Sequence, residues 1–97
     1  MPTYISLVQY TPKGLEAIKD SPKRLDAARK AFEEVGAKIK DVYLVMGQYD
    51  LVFLVDAPND ETVAKISLML ASKGNVRTTT SRAFTEAEYR KLIQSLP

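Results

Sequence analysis

The sequence predicts an α+β fold: an antiparallel sheet with two helices on one face, in the order β-α-β-β-α-β, followed by a C-terminal helix. Three observations carry this. The apolar runs Val42-Tyr43-Leu44-Val45-Met46 and Leu51-Val52-Phe53-Leu54-Val55 flank Gly47-Gln48-Tyr49-Asp50, which reads as the tip of a central hairpin. One segment with apolar residues at helical spacing precedes that hairpin and another follows it. Outside both lie further segments of strand composition.

Taken in order, Thr3 to Tyr10 is rich in Tyr, Ile, Leu and Val and stops at Thr11-Pro12, the end of a first strand. Lys13-Gly14 opens a connector in which Leu15 to Ile18 reads as one helical turn. Ser21-Pro22 then starts a helix, Ser21 as N-cap and Pro22 at the first helical position. Leu25, Ala28, Phe32 and Val35 form its apolar stripe, and Gly36 stops it. Lys38 to Met46 is the second strand and Leu51 to Asp56 the third, closed by Ala57-Pro58. Asn59 caps a second helix, with Asp60 and Glu61 in the first turn, where the macrodipole favours negative charge. Val63, Ile66, Ser67 and Leu70 form its inner stripe, Leu68 and Met69 widen the apolar face, and Gly74-Asn75 end it. Val76 to Phe84 is a fourth strand around Thr78-Thr79-Thr80. Thr85-Glu86-Ala87-Glu88 is a capping box opening a last helix, with Tyr89, Leu92, Ile93 and Leu96 on its apolar face. This order is the ferredoxin-like plan, and 97 residues fit one domain over positions 1–97.

Composition narrows the chemistry. The chain has no cysteine and no histidine, so disulfides, thiolate nucleophiles, Cys/His zinc sites, Ser-His-Asp triads and histidine-ligated haem are excluded within it. No cofactor is indicated. No metal is expected either, because the carboxylates cluster at helix starts, where capping accounts for them. A net charge of +2 is too small to imply a nucleic-acid or membrane partner. The hairpin stretch through Phe53 lacks the aromatic pattern of RNA-recognition modules, and its aliphatic residues favour a protein partner. No apolar run approaches the roughly 18 residues of a membrane span, and Met1-Pro2-Thr3-Tyr4 lacks the charged start of a signal peptide. A cytoplasmic location is the expectation.

Two helices cover only one face of a four-stranded sheet. The third strand is nevertheless apolar on both, Leu51, Phe53 and Val55 on one side and Val52 and Leu54 on the other. The second face therefore calls for a partner, most simply another copy of the chain in a homodimer or higher homo-oligomer. The competing expectation is that the C-terminal helix folds back over that face within one subunit.

The residues reached so far resemble the GYD-domain family of small bacterial and archaeal proteins. Its triplet appears as Gly47 and Tyr49-Asp50 with Gln48 between. The likeness extends to Thr11 and Gly14, Ser21-Pro22-Lys23-Arg24, Ala57-Pro58-Asn59-Asp60, and Gly74-Asn75-Val76-Arg77-Thr78. The resemblance implies a ferredoxin-like subunit of the dimeric α/β-barrel kind and carries no established activity.

The topology brings four segments to one end of the sheet: Thr11 to Gly14, Ser21 to Arg24, Gly47 to Asp50, and Lys73 to Arg77. That end also collects Lys13, Lys19, Lys23, Arg24, Lys73 and Arg77, while acidic residues gather at the other. A helix N-terminus with Arg24 and Arg77 nearby suits a small carboxylate or phosphate. The ligand-binding candidates are thus Thr11, Gly14, Arg24, Gly47, Tyr49, Asp50, Asn75 and Arg77. Most also have an ordinary structural reading. Gly47 supplies the positive dihedral of a turn. Asp50 bonds turn N–H groups or pairs with Arg77, and Tyr49 packs in an interface or walls a pocket. Arg24, in a first helical turn where the dipole disfavours a cation, needs a partner: Asp50, Asp20 or a ligand.

The leading functional expectation is a non-catalytic, self-associating domain that binds a small anionic metabolite at the basic end. One alternative is a cofactor-independent oxygenase or isomerase using Asp50 or a tyrosine as proton carrier. Another is a purely structural or regulatory interaction module.

Overall fold

The computed structural model describes residues 1–97. Four strands, β1 (Thr3–Tyr10), β2 (Lys38–Leu44), β3 (Leu51–Asp56) and β4 (Val76–Ala83), form one antiparallel sheet in the order β2-β3-β1-β4. Four helices accompany them: α1 (Pro12–Glu16), α2 (Ser21–Glu34), α3 (Asp60–Ser72) and α4 (Glu86–Gln94). The β-α-β-β-α-β plan is as expected, with α2 and α3 as the crossover helices.

Alternation along β1 and β3 sorts the two faces. Tyr4, Ser6 and Val8 of β1 stand opposite Val55, Phe53 and Leu51 of β3. All but the half-buried Leu51 are buried beneath the helices. In β2 a register shift between Ile39 and Asp41 turns both Ile39 and Val42 toward that side, which strict alternation over three residues forbids. Ala28 and Phe32 of α2 and Ile66 of α3 complete the main layer contacts. The buried Ser6 hydroxyl is satisfied by that of Thr80 at 3.0 Å. The other face carries Ile5 and Leu7 of β1 and Val52 and Leu54 of β3, all half-buried, with exposed Arg77, Thr79 and Ser81 along β4.

Several local signals are realised directly. Asn59 accepts the Thr62 N–H at 2.9 Å at the start of α3. Thr85 and Glu88 close both bonds of the capping box on α4. The Thr85 backbone N–H holds the Glu88 carboxyl below its usual pKa. Gly36, at φ +79°, ends α2.

Other expectations need correction. Ser21 is not an N-cap: a 3-10 turn over Ile18–Asp20 runs straight into α2, leaving no extended residue there. The Ser21 backbone N–H is already spent on the Ile18 carbonyl, and its hydroxyl pairs with the Tyr10 hydroxyl at 2.8 Å. Helical structure also begins earlier than expected, at Pro12, because Thr11 caps α1 by accepting the Gly14 N–H at 3.1 Å. The second strand ends at Leu44 instead of Met46.

α4 does not fold back over the open face. It buries none of its residues, and Tyr89, Leu92, Ile93 and Leu96 remain 57, 49, 53 and 64% exposed. The radius of gyration, 14.6 Å, exceeds the roughly 13 Å of a compact chain of this size. No helix is long and apolar enough to cross a membrane.

Candidate functional site

The four segments do meet at one end of the sheet, and most of the bonds that join them run from a side chain to a backbone group. The Thr11 N–H donates to the Asn75 carbonyl at 3.1 Å, and the Thr11 hydroxyl donates to the Gly74 carbonyl at 2.5 Å. Gly14 is buried against the same loop, where a Cβ would lie 2.1 Å from the Asn75 carbonyl oxygen. The Lys13 ammonium donates to the Lys73 carbonyl at 3.0 Å. Thr11, Gly14 and Asn75 therefore form a clasp that ties α1 to the entry of β4, and glycine is required there by close approach.

The hairpin side of this end is held differently. Gly47, at φ +111°, has open space where a Cβ would stand, so its backbone angle is what asks for glycine. The Asp50 carboxylate accepts the Tyr10 N–H at 2.9 Å, while the Asp50 N–H donates to the Val8 carbonyl at 2.9 Å. The expected pairing of Asp50 with Arg77 is absent. β1 lies between β3 and β4, and strands two places apart are separated by about 9–10 Å. Arg77 is exposed on the open face, and Tyr49 is half-buried beside the turn.

Arg24 also finds a partner other than the acids considered for it. Its guanidinium donates to the Ala17 carbonyl at 2.9 Å and the Gly14 carbonyl at 3.2 Å. It thus caps the C-terminal carbonyls of α1, the end of a helix that favours a cation.

Between α2, α3 and the sheet lies a cavity of about 120 Å³ that opens at this basic end. Val8, Leu51 and Phe53 supply its floor, and Leu25 and Leu70 stand on the two helices above. The space exists because α2 presents Ala27, Ala28 and Ala31 to it, side chains too short to reach Met69 and Leu70 across the gap. Its polar rim consists of Tyr10, Ser21, Arg24, Lys73 and Asn75, and no carboxylate lines it. Of the sequence-selected candidates only Arg24 and Asn75 border this space. Tyr10, Lys73 and the three alanines were not selected; the small residues at 27, 28 and 31 were the only hint of a gap.

A second, more polar recess lies between α3 and β4, lined by Tyr4, Asp60, Ser67, Thr78, Thr80 and Arg82 among others. The Tyr4 hydroxyl donates to Asp60, and the Arg82 guanidinium lies 5.7 Å from the Tyr4 ring centroid and 4.4 Å from that of Phe84. Burial, then the hydrogen bond to Asp60 and its charge, raise the Tyr4 pKa above 10.0, with Arg82 opposing. The Thr78-Thr79-Thr80 run thus contributes two hydroxyl residues to this recess as well as strand propensity. No group of three or more carboxylates is placed to hold a metal ion. Asp50 borders neither of these two cavities, its carboxylate being engaged by the Tyr10 N–H.

Comparison with known proteins agrees with this architecture. The family model described as "GYD domain" matches residues 4–93. A Thermus thermophilus protein named "Glutamine synthetase and cystathionine beta-lyase binding protein" is 37% identical over 89 residues, covering 91% of this chain and 94% of that protein. The crystal structure of TTHA0845 from Thermus thermophilus superposes with a TM-score of 0.56 at 29% identity, over 88% of this chain and 95% of that one. Two further structures share the fold. MtbAldR gives a TM-score of 0.68 at 17% identity, over 88% of this chain and 52% of that one. The Mycobacterium tuberculosis leucine response regulatory protein LrpA gives 0.61 at 19%, over 87% and 51%. This chain spans about half the length of both.

Proposed function

We propose that this chain, which belongs to the GYD domain family, is a self-associating interaction module whose open sheet face is covered by a second copy of itself. The observation that carries this is the stripe of Ile5, Leu7, Val52 and Leu54 on the face without helices. A sheet with apolar residues on both faces gains by burying both, at about 25 cal/mol per Å² of apolar surface removed from water. Only 12 of 97 residues are buried in the isolated chain, so association adds substantially to a small core. The projecting α4 supplies further apolar surface for the same assembly. Holding partner proteins is the role that fits such a module, and the name of the Thermus thermophilus relative, a binding protein for two enzymes, supports it.

Sedimentation at low protein concentration tests the self-association. The wild type is expected above monomer mass, and Leu54→Lys, which places a charge in the stripe, is expected to sediment as a folded monomer. A wild type that runs as a clean monomer defeats the proposal.

A second reading concerns the basic end, where Arg24 and Lys73 border a cavity without any carboxylate. There the module binds a small anionic metabolite. Titration calorimetry against carboxylates and phosphates checks this, with Arg77→Ala expected to leave binding unchanged because Arg77 stands off the cavity. Absence of binding by every member of the panel removes this reading.

A further inference from the structure

The cavity beneath α2 and α3 has a definite chemical asymmetry. Eleven of its fifteen lining residues are hydrophobic, counting Tyr10 for its ring, and the cationic groups among the lining are Arg24 and Lys73, both at the basic end. Arg24 spends two N–H bonds on the α1 carbonyls; a guanidinium has five, so three remain for a ligand. The α1 contacts also fix its orientation without neutralising it, since carbonyls carry no net charge. Lys73, exposed in the turn after α3, makes no ion pair. An apolar chamber ending in unneutralised positive charge selects for both ends of an amphipathic molecule. Its volume of about 120 Å³ lies below the roughly 300–1,000 Å³ of pockets for drug-sized ligands, which limits the occupant to a compact metabolite.

We infer that this cavity binds a small monocarboxylate with an apolar tail, the carboxylate at Arg24 and Lys73 and the tail against Leu25, Leu51, Phe53 and Leu70. The inference rests on the anion reading of the basic end and sharpens it: the tail supplies affinity through burial, and the charge sets orientation. The chamber lies on the helix side of the sheet, so the ligand leaves the self-association face free.

The test uses the full chain and follows backbone amide resonances on titration with phenylacetate. Acetate, phenylacetamide and 2-phenylethylamine serve as comparison probes. Phenylacetate is expected to bind saturably and shift residues lining the cavity. Acetate, lacking the tail, and the neutral amide, lacking the charge, are each expected to bind at least about tenfold more weakly, a difference of about 1.4 kcal/mol. The amine is expected not to bind. Lys73→Gln, at an exposed position, is expected to weaken phenylacetate about tenfold without changing the melting temperature. Ala31→Leu, which fills the chamber, is expected to abolish the shifts. Acetate binding as tightly as phenylacetate overturns the apolar-tail assignment while the anion reading survives. An amide or amine that binds as tightly as the acid overturns both, whereas the absence of binding by all four probes overturns the monocarboxylate assignment and leaves the anion reading to the phosphates of the calorimetric panel.

Discussion

The carboxylate of Asp50 accepts the backbone N–H of Tyr10 at 2.9 Å, fastening the tip of the central hairpin to the last residue of β1. The paired register of β1 and β3 runs only as far as Val8 and Leu51, although the Asp50 N–H still reaches the Val8 carbonyl. The side chain therefore continues by one bond a ladder that the backbone has left. Asp50→Ala is expected to destabilise the fold by about 1–3 kcal/mol, because the partly buried Tyr10 N–H loses its acceptor. Asp50→Asn retains an acceptor oxygen and is expected to cost less. Urea unfolding of the two variants checks the order, and equal losses would remove the hydrogen bond as the cause.

Two glycines at the same end of the sheet are needed for different reasons, and alanine separates them. At Gly14 a Cβ would press on the Asn75 carbonyl oxygen, so Gly14→Ala is expected to cost about 3 kcal/mol, the upper part of the overpacking range. At Gly47 there is room but φ is +111°, and Gly47→Ala is expected to cost about 1–2 kcal/mol from backbone strain alone. Calorimetric melting of both variants tests the ranking.

Tyr4 makes stability depend on alkaline pH. Its folded pKa is raised above 10.0, chiefly by burial and then by Asp60, so the folded state holds the phenolic proton more tightly than the unfolded chain. The associated stabilisation is intact below pH 10 and is lost as pH rises through the folded pKa. Tyr4→Phe is expected to lower stability at pH 7, where the bond to Asp60 is lost. It should also flatten the further decline that sets in as pH rises above about 10. Urea midpoints across these pH values measure both effects; parallel curves for variant and wild type would exclude Tyr4 as the source.

Much of the fold was legible because its signals are local. Asn59, the Thr85–Glu88 box and Gly36 each satisfy or release backbone groups within a few residues, so their meaning survives without tertiary context. Ser21 misled because an N-cap signal presupposes an extended residue before the helix, and the 3-10 turn ahead of it is a property of the whole connector. Arg24 misled in a related way: its position in a first turn asked for a counter-charge, but α1 folds back so that its carbonyl end reaches the guanidinium.

The sequence by itself determined the order of strands and helices, the end at which four segments meet, and the apolar character of both faces of β3. These follow from the period of apolar residues and from topology, which require no knowledge of distances. Only the tertiary structure decided what the residues at that end do. It tied Asp50 to Tyr10 and left Arg77 outside, because β1 runs between their strands. It also opened a chamber above Phe53, because the width of a gap depends on how far two helices stand apart, and no single helix's pattern contains that separation.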